Sequence, residues 1–303
     1  MEYLTVEKAA GKWGIPVRSV QFYCRNGNIP GVTLNGKRWM IPVDAPRPHR
    51  KSRIRQLPKT VGGILAAEKE CRLKGGIYHQ VQIDLTYNSN HLEGSRLTQD
   101  QTRWIFETMT LGDVGREIPV NDIIETANHF RCIDLVIDSY GAKLSEAYIK
   151  RLHLVLKNGT SDSRKGWFAV GDYKRLPNSV NDIETVPPEA VHKEMVKLLA
   201  RYEARKPGNF DDILDFHVQF ETIHPFQDGN GRVGRLLLFK ECLKANILPF
   251  IIDESLKRFY YRGLHEWNSV REYLRDTCRT GQDRFAAMLR RYGHNFEFKY
   301  GET

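Results

Sequence analysis

The chain has 303 residues, a formal net charge of +9 and 41% hydrophobic residues. That length supports one domain with a sizeable core and one small appendage. No run of eighteen apolar residues and no charged-then-apolar leader is found, so neither membrane insertion nor secretion is expected.

The charge is uneven. Residues 1–60 hold twelve Lys and Arg against three Asp and Glu, and the remaining 34 basic and 34 acidic residues cancel. A small basic segment points to a nucleic-acid partner. Within it, Thr5 is placed to cap a helix over VEKAAGKW, with Glu7 in its first turn. Gly14 and Ile15 make a turn, and Pro16 to Arg25 reads as a second helix that Asn26-Gly27 ends. Residues 32–34 and 37–41 then read as a hairpin about the two-residue turn Asn35-Gly36. Two helices followed by a hairpin make a winged arrangement over 1–45. The stretch resembles the small helix-turn-helix domains of the MerR and excisionase type. The resemblance implies a recognition helix carrying Arg18, Ser19, Gln21 and Arg25, and a wing tip where Lys37 and Arg38 reach phosphate or a minor groove. Such domains also bind proteins or dimerise, so DNA and a protein partner both stay open here.

A basic linker with Pro46, Pro48 and Pro58 spans 46–60. From 61 to 303 the apolar spacing predicts helices over 64–72, 77–87, 99–109, 120–140, 145–156, 188–205, 210–223, 232–245, 254–268 and 269–292. The fold class expected is mainly α, with one exception. Gly166 to Val180 is aromatic and β-branched and is broken by Gly171, Pro177 and Asn178, which predicts a short hairpin.

The most informative residues are His224 to Arg235, HPFQDGNGRVGR. Pro225 biases His224 out of the helical region, so a helix ends there. Gly229 and Gly231 let backbone amides turn inward as an anion-binding nest. A new helix starts near Arg232, with its positive dipole end at the same place. Arg232 and Arg235 suit two-pronged phosphate contacts, Asp228 suits Mg²⁺, and the imidazole of His224 can take a proton near neutral pH. A zinc site built on His217, Glu221 and His224 lacks the H-E-x-x-H pattern, and His217 reads as a packed core residue.

His224, Phe226, Asp228, Gly229, Asn230, Gly231, Arg232 and Arg235 complete the pattern H-x-F-x-(D/E)-G-N-G-R-x-x-R. The chain therefore resembles the Fic family from about Gly62 onward. The resemblance implies an all-helical domain with a β-hairpin flap that transfers AMP from ATP to a Ser, Thr or Tyr hydroxyl of a protein. By it, His224 is the base, Asp228 holds Mg²⁺ or Mn²⁺, Gly229, Asn230, Gly231, Arg232 and Arg235 bind phosphates, and Phe226 anchors the loop. Doc-like kinases carry Lys where this chain has Gly231, which favours nucleotidyl transfer; phosphocholine transfer stays open.

Upstream, Ser89-x-x-x-Glu93-Gly94 matches the family's inhibitory motif (S/T)-x-x-x-E-(G/N). This implies an inhibitory helix near 86–94 in which Ser89, Glu93 and Gly94 place Glu93 on Arg235, where the ATP γ-phosphate belongs. The plain alternative is a helix that ends at Gly94, with Glu93 on the surface and Ser95 or Thr98 capping the next helix. The resemblance further implies target contacts from a flap at Val170, Gly171, Asp172 and Tyr173, and adenine contacts from Tyr261 and Asn268. Tyr260 and Trp267 are expected in the core.

Five scattered cysteines without a C-x-x-C pair favour a reducing compartment, and the chain reads as cytoplasmic. The partners expected are a target protein, ATP and DNA, with a homo-oligomer compatible and no membrane. Two other functions stay open. One is removal of AMP using Glu93, and the other is a DNA-binding regulator whose Fic domain acts as a sensor or scaffold.

Overall fold

The computed structural model describes residues 3–25, 27–36, 38–48, 58–112, 115, 117–180, 183–205 and 208–294. The chain divides into two compact units, Met1–Leu57 and Pro58–Thr303.

In the first unit, Thr5 accepts a hydrogen bond from the Lys8 amide and starts α1 (Val6–Trp13), and Gly14 closes it in the left-handed region. The second helix, α2 (Val17–Arg25), buries Val20 and Cys24 against Ala9, Trp13, Ile29 and Ile41. Three short strands follow the order β1-β3-β2: β1 (Tyr3–Leu4), β2 (Thr33–Asn35) and β3 (Arg38–Pro42). Asn35 pairs with Arg38, so Asn35 belongs to the strand and not, as expected, to the turn. Gly36 takes the positive φ of 62° there. Arg18, Gln21 and Arg25 are exposed along one face of α2, Ser19 is half-buried, and Arg38 is exposed at the start of β3. Lys37 and most of the expected linker, residues 49–57, lie outside the described residues.

The second unit is helical: α3 (Val61–Cys71), α4 (Ile77–Leu92), α5 (Gln99–Thr108), α6 (Val120–Ser139), α7 (Glu146–Lys157), α8 (Pro188–Ala204), α9 (Phe210–Ile223), α10 (Asn230–Ala245), α11 (Glu254–His265) and α12 (Glu272–Arg291). The organising element is α10, which is buried at Asn230 and at every position from Arg232 to Leu243. Val233, Leu236, Leu237, Leu238 and Phe239 give this enclosed helix apolar faces, and its buried Arg232, Arg235 and Lys240 each have an acidic partner. Its neighbours pack one core from α3, α4, α6, α7, α8, α9 and α12, and a second core joins α9 to α11 and α12 through Trp267 and Tyr260. Both of those aromatics are fully buried, as expected. Thr98 and Gln101 form a capping box at the start of α5.

Two expectations need correction. The helices expected over 77–87 and near 86–94 are one, α4, which runs to Leu92 because Ser89, Asn90 and Leu92 are buried and keep the last turn packed. The hairpin is also displaced: β4 (Ser179–Val180) pairs with β5 (Ile183–Glu184), and residues 166–178 form turns. Their backbone and side-chain groups are used elsewhere. The Gly171 amide donates to His153, the Lys174 amide to the Pro225 carbonyl, and Pro177 has no donor to give. The described cysteines are all unpaired as disulfides. Among the described residues, no helix is long and apolar enough to cross a membrane.

Candidate active site

The site forms where the end of α9, the loop 224–229 and the start of α10 meet the end of α4. His224 caps α9 with φ 51° and ψ 62°, a left-handed conformation uncommon for a residue with a side chain. Its Nδ1 lies 3.3 Å from the Glu221 carbonyl. A carbonyl can only accept, so Nδ1 carries the proton and Nε2 is left as the basic nitrogen. Burial holds the imidazole below its ordinary value of 6.5, although the Glu221 carbonyl pulls it upward. The ring is therefore neutral near pH 7.

Phe226 pegs the loop. Its side chain is fully buried, stacked on His153 with ring centroids 4.0 Å apart and flanked by Tyr173 and Phe220. Asn230 closes the turn by accepting the Phe226 amide at 2.8 Å and donating to its carbonyl at 2.9 Å. That side chain is thus committed to the loop, and what Asn230 offers a phosphate is its amide at the start of α10. Gly229, with φ 84°, is the residue that bends the chain into the helix.

Asp228 is half-exposed and remains ionised: burial opposes its charge, but Arg232 and Lys157 outweigh that and hold it well below the usual carboxylate range. Arg232 is buried and pairs with Glu125 and, at 3.1 Å, with Asp228. Asp228, Glu125 and Asp162 each bring a carboxylate oxygen within 4.8 Å of the others, a set of hard donors that suits a divalent ion.

Arg235 is the second buried arginine of the motif. It donates from Nε to Ser89 Oγ at 3.0 Å, and from Nη2 to the Ser89 carbonyl at 2.8 Å and to Glu93 Oε1 at 2.7 Å. Glu93 is the residue after α4, and Gly94 follows it in the left-handed region. Burial disfavours the Glu93 charge, yet Arg235 and Arg232 more than offset this and keep it ionised. Glu221, which also feels the Arg235 charge, is pushed up to about 8 by burial, so it is neutral at pH 7 and Glu93 is the anionic partner. Gly231 makes the contact sterically possible. A Cβ there would meet Glu93 Oε1 at 2.3 Å and Arg235 Nη1 at 3.0 Å.

The expected flap residues divide. Val170 and Gly171 are half-buried, Asp172 is exposed and pairs with Lys150, and Tyr173 packs on Phe226 while donating to Glu146. Tyr173 is a core residue here. The strip just beyond it does border the motif: Leu176 donates its amide to the Gln227 side chain at 3.3 Å, and Asn178 donates to the Phe226 carbonyl at 3.0 Å. Tyr261 is half-exposed in α11, close enough to Glu93 and Arg235 for their charges to act on its hydroxyl. Asn268 is exposed in the turn after α11. His217 is a core residue, hydrogen-bonded to the Tyr260 hydroxyl at 2.6 Å.

Sequence reasoning missed Glu125, Lys157, Asp162 and His153. His153 accepts the Gly171 amide on Nδ1, so Nε2 carries the proton and donates to the Asp228 carbonyl at 3.1 Å. Burial drives its pKa down to about 3. No local pattern marks these residues; the one available signal was a Lys and a His four apart on an otherwise apolar helix face.

Residues 143–241 match the Fic/DOC family. A curated protein adenylyltransferase Fic from Nematostella vectensis is 25% identical over 210 residues, covering 67% of this chain and 48% of that one. Another from Drosophila grimshawi is 28% identical over 280 residues, covering 86% of this chain and 51% of that one. The chain thus spans about half the length of these curated relatives. A Fic domain containing signaling protein from Bacteroides thetaiotaomicron superposes with a TM-score of 0.62 at 22% identity, over 77% of this chain and 98% of that one. Fic-1 from C. elegans gives 0.60 at 18% identity, over 76% of this chain and 71% of that one. These two likenesses show the fold. The segment match and the curated relatives support a Fic family protein.

Proposed function

We propose that this chain is a Fic protein adenylyltransferase that moves AMP from ATP to a hydroxyl of a target protein and is held back by its own Glu93. The supporting observation is the conjunction at one helix start: a neutral imidazole with a basic nitrogen, the N-terminal end of α10 at Asn230, and two buried arginines. In this reading the hydroxyl gives its proton to His224 Nε2 while its oxygen attacks the α-phosphorus. An oxygen–phosphorus bond forms, the bond to the bridging oxygen breaks, and pyrophosphate leaves. Most of the acceleration comes from position and charge, because little covalent chemistry is required of the protein. Arg232 and the amides at the start of α10 hold phosphate oxygens. Asp228, with Glu125 and Asp162 beside it, has the donor chemistry to hold Mg²⁺, which when bound neutralises phosphate charge.

Glu93 acts as the brake by holding the Arg235 fork that a γ-phosphate would otherwise use. The same ionised carboxylate could orient a water and drive removal of AMP, so the direction is an outcome to measure. In the first unit, the exposed cationic face of α2 and the strand start at Arg38 support a winged helix-turn-helix that docks on duplex DNA. The proposed setting is cytoplasmic.

Parallel reactions with ATP labelled on the α- or the γ-phosphate test the transfer. The α-label is expected on protein and the γ-label in released pyrophosphate. Retention of the γ-label on protein would replace AMP transfer with phosphate transfer.

A further inference from the structure

Beside the motif lies a second set of charges. Lys157 ends α7 with a side chain only 1% exposed, and its ammonium is 2.5 Å from Glu125, 2.6 Å from Asp228 and 2.8 Å from Asp162. Three different segments supply those carboxylates: α6, the loop after α9 and a short turn of 3-10 helix at Ser161–Arg164. The lysine is held in place by more than its ion pairs. Asn128 on α6 donates to the carbonyls on either side of it, Leu156 at 3.0 Å and Asn158 at 2.8 Å. The ammonium also lies 5.4 Å from the centre of the Phe168 ring.

These are the same three carboxylates that cluster within 4.8 Å as hard donors. The ammonium sits among them, where a divalent ion would make its bonds. Charge points the same way. Three carboxylates are balanced by Lys157, Arg232 and Lys165, the last of which pairs with Asp162 at 2.7 Å. Without Lys157 the set is left at −1, with the oxygens that faced the ammonium open to another cation. Glu125 and Asp162 are largely buried, where an uncompensated carboxylate is costly, so the set favours holding one cation or the other.

We infer that Lys157 is a resident cation that fills the divalent-metal position, so that free metal is excluded and enters only with the triphosphate. The metal's use rests on the adenylyltransferase reading, but its exclusion by Lys157 does not. When nucleotide arrives, its oxygens give the ammonium an alternative partner and release Asp228 for the metal. Lys157 is thus a positioning residue that makes metal binding conditional on nucleotide.

The test is Mn²⁺ binding to the full chain without nucleotide, followed by the loss of the free-ion electron paramagnetic resonance signal. Wild type is expected to leave the free signal intact. Lys157→Met should bind Mn²⁺ tighter by about tenfold or more, the scale of one charge-assisted contact. Mg²⁺ alone should raise the melting temperature of Lys157→Met and leave that of wild type unchanged. Lys157→Gln is the second variant should Lys157→Met not fold unaided; folding that returns on adding Mg²⁺ supports the inference. It is overturned if wild type binds Mn²⁺ as tightly as the variants, if the folded variants bind no better than wild type, or if neither variant folds with metal present. Absence of any AMP transfer would refute the adenylyltransferase reading and leave the Mn²⁺ comparison standing.

Discussion

Replacing Glu93 by glycine should tighten ATP binding while lowering stability, two effects of opposite sign from one contact. Arg235 gives Glu93 a charge-assisted hydrogen bond at 2.7 Å in a place where the arginine is 6% exposed and the glutamate 27% exposed. Such bonds contribute about 1.5–3 kcal/mol, and a γ-phosphate has to displace this one. At about 1.4 kcal/mol per tenfold, removing the competitor should improve ATP affinity roughly 10- to 100-fold. Glycine adds no backbone strain, since Glu93 has φ −91° and ψ 8° at the end of α4. The loss of Arg235's partner should cost about 1–2 kcal/mol, softened because Ser89 still accepts two bonds from the guanidinium. For a unit of this size that is a fall of about 2–8 °C in melting temperature. Isothermal titration with ATP and a thermal melt measure both. Unchanged ATP affinity in a folded Glu93→Gly protein would refute the competition argument, whatever happens to the melting temperature.

Gly231→Ala should push aside the Glu93 carboxylate, whose Oε1 its Cβ would meet, and cost about 1 kcal/mol through the weakened Arg235 pair, and should cost less in the Glu93→Gly background; equal costs in the two backgrounds would contradict the proximity. The pH profile of transfer should stay flat to below 6.5, because burial lowers the His224 pKa; an inflection above pH 7 would contradict the base assignment. Stability should fall on acidification. Burial holds His129, His153 and His217 at about 3, against 6.5 when unfolded, so the unfolded chain takes protons first and stability is lost as pH drops below about 6.5. Glu221, raised to about 8, works in the opposite sense but is one group against three, so a urea midpoint that rises on acidification to about pH 5 would contradict this account. Arg18→Ala with Arg25→Ala should weaken duplex binding and shallow its salt dependence by about two phosphate contacts; an unchanged slope would remove α2 from the interface.

The helices were legible because their signals are local. Phe210–Ile223 is read from its apolar spacing alone, and Thr5 and Thr98 announce helix starts by side-chain caps that the structure bears out. The motif was legible because its residue types are crowded into twelve positions. The long-range partners were not. Glu125 and Arg232 are separated by 107 positions and Lys157 and Asp228 by 71, and nothing near Lys157 in sequence marks it as buried. The flap misled for a related reason. Residues 166–178 have the composition of a hairpin, but the motif loop and His153 take the backbone groups a ladder would need. Tyr173 looks like a surface aromatic in sequence and becomes core only once Phe226 is beside it.

The central claim is AMP transfer by His224 under restraint by Glu93. Wild type, Glu93→Gly and Glu93→Gly with His224→Ala would be incubated with Mg²⁺ and ATP labelled on the α-phosphate, alone and in a cell lysate. The account predicts strong labelling of protein by Glu93→Gly, weak labelling by wild type and none by the double variant. Equal labelling by wild type and Glu93→Gly would contradict the brake, and label that survives loss of His224 would contradict the base.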